Sequence, residues 1–292
     1  IVGSLATFSL LSVPFFILSG DIMSGGGITD RLLRLARAVV DQRPGDNLYV
    51  ASVIALDPDT GKIAGHHQYH WNDSWDWAGM SAPLLVDLQE EGKTVTGLVT
   101  AQRNGYMYWL ERNAEGKISY LDGKPYVYNN AFASLDPETG RPTYNEEHVP
   151  RTDKTTEYCP SLWGGKNYPY ESYNPDTGML FVPANENVCN KWTGILDEDT
   201  EPASGQWWAG MDLAELEVYL RDPAKGVGKL EAWNVNSRDV AWTHEYGKTM
   251  NWGSVLNTAG GIVFNAGTND RKLRAFDARS GKVLWEFPLN ST

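Results

Sequence analysis

At 292 residues, with 29 Gly, 15 Pro, 12 Trp and 14 Tyr, the chain can bury a substantial core, and its composition is that of short strands joined by turns. The expected class is therefore all-β. A formal charge of -12 without clustered Lys and Arg excludes a nucleic-acid backbone as partner and suits a basic protein or a neutral small substrate.

Along the chain, Ile1 to Leu18 is apolar except for Ser, Thr and Gly, and is broken by Pro14. It is short for a membrane span of about 20 residues and lacks the basic region of a secretory signal. Leu32, Leu33, Leu35, Ala36, Val39 and Val40 then follow a Thr29/Asp30 cap at helical spacing, which predicts an amphipathic helix and closes a lead of residues 1–42. From Arg43 onward the texture changes to strands, with LYVASVIAL (48–56), TVTGLVTA (94–101), MLFVPA (179–184) and GGIVFNAG (260–267) as examples.

The stretch YHWNDSWDWAG (69–79) sets Asp73 and Asp76 among Trp71, Trp75 and Trp77. It reads as a carbohydrate acid/base pair, as half of another active site, or as an aromatic corner with turn-capping aspartates. The glycosidase reading is weakest, because nothing else in the chain forms a sugar-cleft pattern. Cys159 and Cys189, outside any C-x-x-C arrangement, argue against a thiolate zinc site. They are either one disulfide, implying an oxidising compartment, or two buried thiols.

Self-comparison finds a repeat. AFDARSGKVLW (275–285) has counterparts in AWNVNSRDVAW (232–242), ALDPDTGKIAG (55–65) and SLDPETGRPTY (134–144). The pattern is a small residue, an acidic or amide residue two later, Gly six later and Trp ten later. In such a unit the Asp and Gly form a tight turn and the Trp packs onto an adjacent sheet. Residues 43–292 are thus expected to form about four blades of a β-propeller.

That repeat resembles the tryptophan-docking motif of quinoprotein alcohol dehydrogenases, eight-bladed propellers that carry pyrroloquinoline quinone (PQQ). RPGDNLYVASVIALDPDTGK (43–62), NDSWDWAG (72–79), QRNGYMYWLER (102–112), YCPSLWGGKNYPYESYNPDTGMLFVPANENVC (158–189), NWGSVLNTAGGIVF (251–264) and GTNDRKLRAFDARSGKVLWEF (267–287) are similar to successive pieces of the methanol/ethanol branch, in family order. The resemblance implies oxidation of a primary alcohol to an aldehyde, with hydride passing to the quinone. Asp76 would be the general base and a metal ligand, and Asp73 would support the turn.

Arg103 would stabilise charge at the quinone carbonyls, Asn167 would bond the cofactor, and Trp252 would line its pocket. Ala78 stands where lanthanide-using members carry an additional Asp, so the implied metal is calcium. The resemblance also pairs Cys159 with Cys189 in a disulfide and implies a periplasmic location with a cytochrome c as electron acceptor.

No part of the chain corresponds to the family's first propeller half, which supplies the metal-binding Glu and other cofactor ligands. The expectation is a middle-to-late portion of the propeller, inactive alone, whose open edges a homo-oligomer would cover. The alternative is a non-catalytic propeller that serves as a binding scaffold.

Overall fold

In the computed structural model, residues 48–78, 81–195 and 215–291 are described. The expected apolar lead and amphipathic helix lie outside them. The strands, in chain order, are β1 (Ser52–Leu56), β2 (Ile63–Gln68), β3 (Leu84–Glu90), β4 (Lys93–Ala101), β5 (Tyr106–Arg112), β6 (Ile118–Pro125), β7 (Phe132–Leu135), β8 (Pro142–Tyr144), β9 (Thr155–Tyr158) and β10 (Ser172–Asn174). They continue with β11 (Met179–Asn185), β12 (Val188–Thr193), β13 (Glu217–Leu220), β14 (Gly228–Asn234), β15 (Asp239–Glu245), β16 (Leu256–Asn257), β17 (Ile262–Asn265), β18 (Lys272–Asp277) and β19 (Val283–Pro288). The only helix among the described residues is a 3-10 turn, Glu146–His148. The first strand is shorter than its apolar run suggested, because residues 48–51 form a turn.

Three four-stranded antiparallel sheets follow one another, β3-β4-β5-β6, β10-β11-β14-β15 and β16-β17-β18-β19, preceded by the two-stranded β1-β2 sheet. This is the expected run of about four blades. Between β11 and β14 the chain leaves its sheet to build a separate three-stranded one, β13-β12-β9, and β7-β8 forms a hairpin of its own. Alternation along the strands sends side chains to both faces, so a blade can pack against a neighbour on either side. Val86, Leu88, Trp109 and Met107 meet Leu180, Val182 and Trp233 in one interface. Phe181, Leu230 and Ala232 meet Val263 and Phe276 in the next.

The repeated turns have one geometry. Asp277 Oδ1 accepts the Arg279 and Ser280 amides at 3.1 and 2.8 Å and the Ser280 hydroxyl at 2.7 Å. Asp57 and Asp136 repeat this arrangement with Thr60 and Thr139. In each, the hydroxyl bond leads the causes that hold the carboxyl below its ordinary range.

The Trp of one copy then docks on the turn of the next. Trp242 Nε1 donates to Ala278 O at 3.0 Å while its ring lies against Gly281. Trp109 does the same from β5, donating to Val235 O at 2.8 Å with Arg238 over its ring. The first copy has Gly65 at the Trp position for a visible reason. A Cβ there would stand 2.3 Å from Gly116 O, so backbone meets backbone and no indole fits.

Cys159 and Cys189 form the expected disulfide, with Cα atoms 4.5 Å apart. It joins β12 to the chain leaving β9, next to the Asn190–Tyr158 register pair.

Two outcomes follow for stability. Trp109 is fully buried, whereas Trp285, the Trp of the last repeat copy, is 47% exposed. Trp109→Ala is expected to cost about 3–5 kcal/mol in urea unfolding, whereas Trp285→Ala stays within about 0.5 kcal/mol. Equal costs would remove docking as the source of the difference. Reduction of the disulfide, which spans 30 residues of sequence, should remove about 3–4 kcal/mol in the chain-entropy account. A melting temperature unaffected by a thiol reductant that fully reduces the bond would contradict this.

Candidate active site

The aromatic corner is built by alternation. Trp75 and Trp77 turn inward, stacked at 5.0 Å with planes 10° apart, and Asp76 between them turns outward. Each indole is fixed by its N–H, Trp75 to His148 O and Trp77 to Ser161 O, both at 2.9 Å. The Asp76 backbone sits in the left-handed region, at φ 63, a conformation held here by the two anchored rings on either side. Tyr144, at the Trp position of its repeat copy, closes the corner from outside. Its hydroxyl accepts the Trp71 amide at 3.0 Å and donates to Trp71 O.

The two aspartates separate as their surroundings dictate. Asp73 is buried, with Oδ1 3.1 Å from His70 Nε2 and 2.8 Å from the Trp77 amide it caps. Burial pushes its pKa up, but the charge and hydrogen bond of His70, the Trp77 amide and Arg103 prevail and hold it below the ordinary value. Asp76 has 58% of its side chain exposed and lies 3.1 Å from Arg103 Nη2. Here desolvation prevails over the Arg103 attraction, and the carboxyl is raised, with the Asp73 charge adding to the rise. Trp75 and Trp77 fix the backbone of Asp76 without covering its carboxylate.

Arg103 comes from the β4–β5 turn and is buried, only 7% exposed. Nη2 also donates to Leu162 O, and Nε has no partner among the described atoms. The loop that receives it is the one carrying Asn167. Gly165 N donates to Arg103 O at 3.0 Å, and a Cβ on Gly164, at φ 78, would lie within 2.7 Å of the Arg103 backbone. The glycine pair of GGKN thus lets this loop press onto Arg103.

Asn167 is partly engaged within its own loop, donating to Trp163 O at 3.1 Å and accepting the Tyr168 amide at 2.8 Å. One amide hydrogen and one lone pair remain. Trp252 stacks on Tyr168 at 6.2 Å and meets Trp163 edge-on at 6.3 Å. Asp76, Arg103, the 162–168 loop and Trp252 are therefore contiguous. Trp163, Tyr168 and the buried Lys166 were not singled out from sequence, although the GG pair beside a Lys and three aromatics was a usable signal.

A fixed guanidinium charge, an amide with remaining capacity and an aromatic shelf fit a planar anionic ring system such as a quinone. A metal is fitted less well. Among the described residues no three His, Cys, Asp or Glu side chains converge, and Asp76 brings one carboxylate already paired with Arg103.

Comparison with known proteins agrees with this chemistry. The chain is 35% identical over 255 residues to the quinoprotein ethanol dehydrogenase of Pseudomonas aeruginosa, covering 84% of this chain and 39% of that protein. Quinoprotein alcohol dehydrogenase PedH of Pseudomonas putida is 35% identical over 257 residues, covering 85% and 41%. A europium-containing methanol dehydrogenase structure superposes with a TM-score of 0.75 at 30% identity, covering 86% of this chain and 42% of that one. The chain spans about two fifths of the length of these relatives.

Residues 1–56 match a second family model, the DctM component of tripartite ATP-independent periplasmic transporters, and residues 1–47 of that match lie outside the described residues. The family model PQQ, the glucose/ethanol/alcohol dehydrogenase β-propeller domain, matches residues 38–119 and 132–292, and with the docked blades and the Asp76–Arg103 corner in place, the chain belongs to that family.

Proposed function

We propose that this chain forms one wall of the active site of a PQQ-dependent dehydrogenase that oxidises a primary alcohol to an aldehyde. The observation that carries this reading is the Asp76–Arg103 pair, at 3.1 Å, beside the aromatic shelf. Asp76 takes the hydroxyl proton of the alcohol as its C–H hydride leaves, so one proton and one hydride depart and an aldehyde remains. A quinone, when bound, would supply the hydride acceptor. Arg103 holds a fixed positive charge where negative charge develops. Asn167 and the Trp163–Tyr168–Trp252 shelf orient the ring plane.

Because the described residues provide one wall and a single carboxylate, itself paired with Arg103, the isolated chain binds quinone weakly and turns over little. If a metal is used, Ala78 in place of a further Asp favours calcium over a lanthanide, with most ligands supplied from beyond the described residues. The disulfide supports a periplasmic location. The charge of -12 suits a basic cytochrome c as electron acceptor and argues for salt-dependent reduction of it. A homo-oligomer would cover open sheet faces, such as the one carrying Trp285 and Phe287, 47% and 51% exposed.

The test is reconstitution with PQQ and calcium, followed by dye reduction with ethanol. Asp76→Asn should lower turnover about 10²–10⁴-fold, while Asp73→Asn, which keeps an acceptor for the Trp77 amide, retains turnover in a less stable protein. A base must be deprotonated to act and burial raises the Asp76 pKa, so turnover should climb with pH through a value above the ordinary carboxylate one. Equal losses in the two variants would remove Asp76 from its role. A folded wild-type chain that binds no quinone would leave the non-catalytic scaffold.

A further inference from the structure

Lys166 and Glu171 have side chains 0% and 2% exposed, and Nζ lies 2.5 Å from Oε2. Two opposite charges in the interior are expensive to desolvate, and an apolar pair of similar volume is often as stable. Burial accordingly pushes the Lys166 ammonium down, with Glu171 opposing the shift. What an apolar pair would not provide is the set of bonds these two groups make outward.

Lys166 Nζ donates to Ser81 Oγ at 2.5 Å, on the segment leaving the Asp76 corner, and lies 3.3 Å from Asn167 O in its own loop. Glu171 Oε1 accepts the Ala101 amide and the Thr100 hydroxyl, both at 3.4 Å, at the end of β4. Arg103 follows two residues later. Tyr126, packed on the same loop, donates its hydroxyl to Gln102 O at 2.7 Å.

We propose that Lys166 and Glu171 are positioning residues, a buried ionic clamp that holds in one geometry the three segments carrying Asp76, Arg103 and Asn167. None of the three is adjacent to another in sequence, and no single sheet contains them. The clamp crosses between them beside the backbone bond from Gly165 N to Arg103 O and the Trp77 bond to Ser161 O. Its consequence for quinone binding rests on the function proposed above, whereas its consequence for the geometry does not.

The experiment replaces both charges together, Lys166→Met with Glu171→Leu, so that no unpaired charge is left buried. Hydrogen exchange is followed by segment, and quinone affinity by quenching of tryptophan fluorescence with PQQ. The folded double variant should exchange at least ten-fold faster at Trp75–Ala78 and at Ala101–Asn104, with β17 and β18 unchanged. Its affinity for PQQ should fall at least ten-fold. Wild-type exchange at those two segments in the folded variant overturns the clamp.

Failure of the wild-type chain to bind PQQ would overturn the functional reading, and the exchange pattern would still decide the clamp. Should the double variant not fold, Ser81→Ala removes only the hydroxyl that receives Lys166. It is expected to speed exchange at Trp75–Ala78 and leave Ala101–Asn104 protected, and unaltered exchange at Trp75–Ala78 overturns the proposal.

Discussion

One contact organises the described fold, an indole N–H donated across a blade interface to a carbonyl in the neighbouring turn. Trp242 on Ala278 and Trp109 on Val235 are the two instances. A sheet face can slide over another sheet face with little loss of apolar contact, since burial is non-directional. A hydrogen bond from the edge of a large ring is directional and fixes that sliding coordinate. The receiving turn must itself be rigid, which is why each has an Asp or Asn accepting two amides of the loop. The repeat joins donor and receiver in one unit, so that a blade both docks and is docked upon.

The same logic produces the site. Trp75 and Trp77 face inward because their N–H groups reach His148 O and Ser161 O, and the residue between them is thereby turned out. Asp76 owes its place to its neighbours rather than to any bond of its own beyond Arg103. Asp73, three residues earlier, faces the interior and becomes the cap of Trp77. Two identical side chains acquire opposite shifts, one held down by His70 and an amide, the other raised by partial desolvation.

Much of this was legible in the sequence. The repeat marked Trp242 and the four turns, and the family motifs pointed to Asp76, Arg103, Asn167 and Trp252, which lie along one run of contacts. Trp109 was not legible as a docking residue, because it acts from β5 outside the recognised copies, and only three dimensions align it with Val235. Gly65 looked like a defect of the repeat and proves to be a close backbone approach to Gly116. Lys166 and Glu171, five apart in a Tyr-rich loop, have the spacing of ordinary surface charges. Nothing local says they are buried, since what buries them comes from β4 and from the segment at Ser81.

The exposure of Asp76 bears on its chemistry. A carboxylate 3.1 Å from a guanidinium but 58% open to water gains little from that charge, since solvent of high dielectric weakens the attraction severalfold relative to a dry site. Arg103, by contrast, is already dry. Covering Asp76 would therefore act mainly on one partner, raising the cost of its charge while sharpening its dependence on Arg103. The local dielectric thus governs how strongly Asp76 holds its proton, and the packing beneath it governs where the carboxylate sits. The proposed ionic clamp under the three segments acts on the same pair: it fixes the distance between Asp76 and Arg103, and an error in that distance costs most where the dielectric is low.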